Sequence, residues 1–211
     1  IIARANEDAD AFHWGLRRFL DEARTLASFR HPNIVRVMRF FEANQTGYMV
    51  MEFVEGEPLE RWIIKRRPLA QAALVNLVGS LLDGLSVMHK AGYLHRDIKP
   101  SNLFIRDTGQ PVLLDFGSAR LATGGASRSL TAIVSPGYAP LEQYAADGNQ
   151  GPWSDIYALS GVLYRAVTGE NPPDAIKRMR GDSVPTSLAV ARARYDQRFL
   201  RAIEWGMNIE E

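Results

Sequence analysis

The ten residues from Tyr93 to Asn102 constrain this chain more than any other stretch. They read Tyr-Leu-His-Arg-Asp-Ile-Lys-Pro-Ser-Asn, and from His95 onward they set a base, two cations, a carboxylate and a neutral amide within eight positions. The apolar pair Tyr93 and Leu94 precedes these groups, and a short apolar run, Leu103 to Ile105, follows them. The spacing predicts a polar loop held between packed elements, where catalytic groups are often carried. Ten residues beyond Asn102, the run Val112, Leu113, Leu114 leads into Asp115, Phe116 and Gly117. That is an apolar strand delivering one carboxylate, then a glycine that can turn sharply. Either block alone is compatible with turn aspartates and a core histidine. The two together, in this order, point to chemistry.

These blocks resemble the protein kinase family. His95, Arg96, Asp97 and Asn102 fill its His-Arg-Asp-x-x-x-x-Asn pattern, and Asp115, Phe116 and Gly117 fill its Asp-Phe-Gly pattern. The resemblance implies ATP and Mg²⁺ as cofactors, with Asp97 as base and Asn102 and Asp115 as hard oxygen ligands. It implies that Lys99 neutralises charge on the transferring phosphoryl group. A lysine two residues after the Asp is the serine/threonine-type choice, so the expected substrate is a Ser or Thr hydroxyl of a protein. Structural parts fall to His95, Phe116 and Gly117.

The rest of the chain follows in family order. From about Trp14 the period is helical, with Leu16, Phe19, Leu20, Ala23, Leu26 and Ala27 on one face, and His31-Pro32-Asn33 stops it. Glu22 beside that face resembles the family glutamate that pairs with a strand lysine. By itself it reads as a solvated surface residue. Residues before Trp14 read as a loop. Ile34 to Phe41 and Tyr48 to Val54 predict a hairpin about a turn at Asn44 to Gly47. By resemblance, Met51 guards the back of an adenine pocket, and the backbones of Glu52 and Val54 bond the adenine edge. Gly56 and Pro58 then break the chain. Short and long helices are expected over Leu59–Ile64 and Leu69–Lys90, the latter a core helix ended by Gly92.

Beyond Asp115 the chain is rich in Ser, Thr, Gly and Ala to Thr131, which predicts a mobile loop. Ser135 to Glu142 resembles the close of an activation segment, with Ser135 where the family has a Thr that bonds the Asp and Lys. Glu142 stands where the family glutamate pairs with an arginine, and that arginine has no match here. Arg96 precedes Asp97, and kinases with this arginine commonly await a phosphate on the segment. Thr131 has the spacing for it, with Ser127 and Ser129 as neighbours. Asp155 opens a helix through Val167. It matches a family aspartate that bonds the loop backbone, and it also suits a helix N-terminus. Helices are expected over Asn171–Met179 and Asp196–Met207, with residues 180 to 195 a looser connection.

The fold class expected is α+β, in two lobes: a small-lobe remnant over 1–54 and a mainly helical large lobe over 55–211. The formal charge of +1 gives no bulk attraction to nucleic acid or an anionic membrane. The absence of cysteine excludes disulfides and thiolate chemistry, and suits a reducing, cytoplasmic setting. No apolar run is expected to approach the ~18 residues of a membrane span. The style of the 130s resembles bacterial members. Two family elements are missing: no Gly-x-Gly-x-x-Gly precedes Glu22, and the first lysine is Lys65. The chain is therefore expected to be a piece cut at both ends and inactive alone. The alternatives are a pseudokinase acting as a scaffold and a small-molecule phosphotransferase. The long segment from Ser118 to Glu142 suits a protein substrate better than the second.

Overall fold

The computed structural model describes residues 6–114, 120–121, 134–145 and 148–209, with the side chains of residues 6–11, 18, 22 and 120–121 outside that description. Helix α1 (Asn6–Leu26) packs on a hairpin of β1 (Val37–Ala43) and β2 (Thr46–Met51). The hairpin turns through Asn44 and Gln45, both at positive φ (51° and 56°), the backbone twist that matches two antiparallel strands. Gly47 admits the helix: a Cβ there would lie 2.6 Å from the Phe19 ring. The helix begins eight residues before Trp14, in a stretch whose sequence pattern reads as loop. Hydrophobic periodicity marks the turns from Trp14 onward, and the helical backbone starts earlier than that pattern does.

Ile34 and Val35 do not join the hairpin as their composition suggests. Val35 donates its N–H to the carbonyl of Leu113 (3.0 Å), and Leu113 donates to the carbonyl of Asn33 (2.8 Å). The Asn33 amide adds a bond to the carbonyl of Pro111 (2.7 Å). This short parallel bridge runs along β6 (Pro111–Leu113), the edge of a three-stranded antiparallel sheet with β3 (Gly56–Pro58) and β5 (Leu103–Arg106). It ties the α1–hairpin unit to everything after residue 55.

That larger part is mainly helical, so the fold is α+β with a small sheet-bearing part and a helical one. It contains α2 (Leu59–Arg66), α3 (Gln71–Lys90), α4 (Pro152–Thr168), α5 (Ala175–Arg178), α6 (Val184–Ala189) and α7 (Gln197–Gly206). Strand β4 (Tyr93–Leu94) pairs with β7 (Arg120–Leu121). Contrary to the sequence expectation, helix α3 has the length and mean hydropathy of a membrane span, although Asn76, Ser80 and Asp83 interrupt its apolar residues. It buries Leu74, Leu77, Leu81, Gly84, Leu85 and Met88. Those residues face β4, β6 and α4, as in a core helix.

Helix α4 is buried almost all round, and Gly169 closes it at φ 84°. The helix expected over Asn171–Met179 shrinks to α5, because Pro172 and Pro173 disfavour helical backbone before them. The connection over 180 to 195 is more regular than its composition suggests, holding α6 and a 3₁₀ turn, Val190–Ala193. Buried Arg178 organises this end: it grips Asp182 with two bonds (2.9 and 2.6 Å). It also donates to the Tyr157 hydroxyl (3.0 Å) and to the carbonyl of Met207 (2.6 Å), so α4, α5 and the end of α7 share one cation.

Burial on α3 alternates sharply between neighbours, Leu81 being 0% and Leu82 38% exposed. Leu81→Ala should therefore cost about 2–5 kcal/mol of stability, and Leu82→Ala less than about 1 kcal/mol. Urea unfolding of the two variants checks this; equal losses would contradict the packing described.

Candidate active site

The loop between β4 and β5 owes its shape to a helix outside it. Asp155, in the first turn of α4 and fully buried, accepts hydrogen bonds from the backbone N–H of His95 (2.9 Å) and of Arg96 (2.8 Å). The ring Nε2 of His89, in the last turn of α3, lies 2.8 Å from the same carboxylate. Gln143 donates from its side chain to the carbonyl of Arg96 (3.2 Å). Bonded on both sides, Arg96 holds φ 67°, a left-handed conformation that non-glycine residues seldom adopt. Such a residue costs on the order of 1–3 kcal/mol and persists only where its surroundings enforce it.

Buried His95 sits below the loop. Its Nε2 is 3.0 Å from the carbonyl of Leu114, which can only accept, so Nε2 carries the proton. Nδ1 is then the acceptor facing the N–H of Asp97 at 3.4 Å. The imidazole thus links the loop to the strand that precedes Asp115.

Three side chains converge on the Asp97 carboxylate. Ser135 Oγ donates to Oδ1 (2.7 Å), Asn102 Nδ2 donates to Oδ2 (2.7 Å), and Lys99 Nζ lies 2.9 Å from Oδ2. Lys99 also donates to Ser135 Oγ (3.0 Å), closing a triangle. Ser135 is presented by a tight turn in which Tyr138 and Ala139 donate to its carbonyl. Gly137 makes that turn at φ 85°, and a Cβ there would lie 2.4 Å from the carbonyl oxygen of Pro172. Burial pushes the Asp97 carboxyl up, but Lys99 and Ser135, with Asn102 behind them, outweigh it and hold it below the ordinary 3.8.

Asn102 spends its amide nitrogen on Asp97, on the backbone carbonyl (2.9 Å) as well as the carboxylate. Its Oδ1, approached by Ser101 Oγ at 3.3 Å, is the oxygen left to face a hard cation, so the residue fits a Mg²⁺ ligand. Leu114, the last described residue before Asp115, donates its N–H to the carbonyl of Asn102 (2.9 Å). Asp115, Phe116, Gly117, Thr131 and the neighbouring Ser127 and Ser129 lie outside the described residues, as does the side chain of Glu22.

After β2, the N–H of Glu52 is taken by the carbonyl of Arg36 (2.9 Å). The carbonyl of Glu52 and the N–H of Val54 make no backbone hydrogen bond among the described residues, and Val54 is buried. Met51 is exposed. Glu142 accepts from Ser154 Oγ (2.6 Å) at the start of α4. His89 and Gln143 were not legible as site residues. A histidine in the last turn of a helix reads as a cation complementing the dipole, and a glutamine after a glutamate carries no spacing signal.

Residues 3–196 match the protein kinase domain family. The chain belongs to the protein kinase family. Among its relatives is the serine/threonine-protein kinase PknL of Mycobacterium tuberculosis, 35% identical over 189 residues, covering 89% of this chain and 45% of PknL. The probable serine/threonine-protein kinase PknB of Lactococcus lactis is 33% identical over 82% of this chain and 27% of its own length. Serine/threonine-protein kinase F of Synechocystis is 40% identical over 68% of this chain and 29% of its own. The chain thus spans less than half the length of these curated relatives.

The Asp97 cluster carries a pH consequence. A carboxyl held below its unfolded value adds stability that is complete above that value. The contribution is lost as pH falls below 3.8 and through the folded value. A carboxyl NMR titration should place the Asp97 midpoint below 3.8. Lys99→Met and Ser135→Ala should each move it upward, Lys99→Met the further. A wild-type midpoint above the ordinary value would contradict the cluster's charge balance.

Proposed function

We propose that this chain is the core of a serine/threonine protein kinase, which transfers the γ-phosphoryl group of ATP to a Ser or Thr hydroxyl of a protein substrate. The observation that carries the proposal is the Asp97 carboxylate held by Lys99, Asn102 and Ser135 on a loop whose backbone is anchored to Asp155. In this reading Asp97 Oδ1 orients the incoming hydroxyl and takes its proton. Its depressed pKa makes it a weak base that accepts the proton late, as the oxygen–phosphorus bond forms. Lys99 turns its ammonium toward charge on the transferring group, a form of preorganised electrostatic stabilisation. Asn102 and Asp115 would hold Mg²⁺, which would supply neutralisation of phosphate charge.

Met51 borders the adenine edge, and the carbonyl of Glu52 and the N–H of Val54 bond it. The division between lobes falls at Val54, with 1–54 small and 55–211 large. Glu22 is assigned to a lysine partner and Thr131 to a phosphate gripped by Arg96, a contact of the kind that orders such segments. The ATP requirement suits a cytoplasmic domain. The relatives, themselves serine/threonine-protein kinases by name, support the serine/threonine assignment.

The roles separate experimentally in the full-length protein. Asp97→Asn should lower turnover by roughly 10²–10⁴-fold while leaving nucleotide affinity nearly unchanged. Asp115→Asn should weaken Mg²⁺-dependent nucleotide binding, read by calorimetry. Equal loss of affinity in both variants would refute this division of labour. The 211-residue chain contains neither a Gly-x-Gly-x-x-Gly nor a lysine before Lys65. Alone it should turn over ATP far below the roughly 1–100 s⁻¹ of ordinary kinases. Turnover within that range by purified 1–211 would show that these elements are dispensable here.

A further inference from the structure

Behind the segment that follows β2, a cavity of about 340 Å³ opens between the α1–β1 connection and the end of β5. Of its lining, only the Glu52 backbone is used in the chemistry assigned above; the side chains are not. Its floor is apolar, with Phe29 and Ile34 both buried. Its rim is cationic: Arg30, Arg36 and Arg106 line it, with His31 beside them. The one carboxylate present, Glu52, is already committed. It accepts from Arg106 Nη2 (2.7 Å) and lies 3.4 Å from the N–H of Arg36. The guanidinium groups of Arg30 and Arg36 have no ion pair or hydrogen bond among the described residues, and both residues are exposed. Three guanidiniums therefore surround one neutralised carboxylate above an apolar base, on a chain whose overall charge is only +1.

We propose that this cavity docks an acidic peptide segment, with an apolar side chain on the Phe29 and Ile34 floor and flanking carboxylates on Arg30 and Arg36. Guanidinium forks match carboxylates two bonds at a time. A small inorganic anion would use the rim and leave the floor wet. A peptide uses both, and peptide sites that combine an anchor pocket with charged flanks gain specificity from each. The cavity joins the two parts of the fold, since Arg36 lies just before β1 and Arg106 ends the strand that starts after Asn102.

The test reads binding without ATP, so it succeeds or fails independently of the phosphoryl-transfer proposal. A fluorescein-labelled peptide Glu-Asp-Glu-Leu-Glu-Asp-Glu is titrated with the full-length protein by anisotropy. Controls replace every acid by Lys, or the Leu by Gly. The acidic peptide should bind in a salt-sensitive manner, and the lysine version should not. The glycine version, and the double variant Arg30→Glu with Arg36→Glu, should each weaken binding about tenfold or more. Both arginines are exposed, and circular dichroism checks that the variant is folded. Undiminished binding by the double variant, equal binding of the glycine peptide, or full displacement by millimolar inorganic phosphate would each overturn the proposal. The last would reveal a site for anions alone.

Discussion

The buried carboxylate of Asp155 is the interaction on which the site depends. An ionised carboxylate removed from water costs several kcal/mol unless its oxygens find strong donors. Here Oδ1 receives the N–H of Arg96, and Oδ2 receives that of His95 and faces His89. In return it fixes two successive peptide planes. A neutral amide of the same shape would present NH₂ to one of those donors and leave it unsatisfied, at a cost of about 1–3 kcal/mol. Because the two planes are fixed, Arg96 can occupy a left-handed conformation that the chain would otherwise leave. The next residue, Asp97, inherits its direction from that constraint. Helix α4 can bear the load because it is buried almost all round and cannot shift without opening the core.

The cluster around Asp97 shows how such a loop trades one property against another. Lys99, Ser135 and Asn102 place the carboxylate within bonding distance of fixed partners, which lowers its proton affinity. A stronger base would need fewer donors and would be less well aimed. For the proposed transfer, whose barrier yields mainly to positioning and charge, aim is the more useful property. Ser135 comes from a segment far along the chain, so the carboxylate is complete only when that segment's tight turn sits against Pro172.

The junction between the two parts of the fold is made of backbone as much as side chain. Residues 33 to 35 leave the α1–hairpin unit to pair with β6, and the Glu52–Arg106 pair spans the same seam. The seam and the loop share a support, since β5 starts at the residue after Asn102 and β6 ends one residue before Leu114. Contacts made at the back of this junction thus bear on strands that reach the front.

Much of this was legible in the chain itself. The order of His95, Arg96, Asp97, Lys99 and Asn102, the helices over α2, α3, α4 and α7, and the hairpin turn all follow from local chemistry: apolar period, breakers, and turn residues. Local pattern does not say which backbone group pairs with which. Ile34 and Val35 look like hairpin strand, yet their hydrogen bonds go to Leu113, a choice made by packing of distant segments. The short α5 and the order within 180 to 195 escaped for the related reason that periodicity records burial and not backbone shape. His89, Gln143 and the pairing of Arg178 with Asp182 and Met207 were likewise invisible. Their meaning lies in partners 66, 47 and, for Met207, 29 residues away. Sequence determined which chemical groups the loop carries. Only tertiary structure decided how they are aimed, because direction is set by hydrogen bonds that close over long stretches of chain.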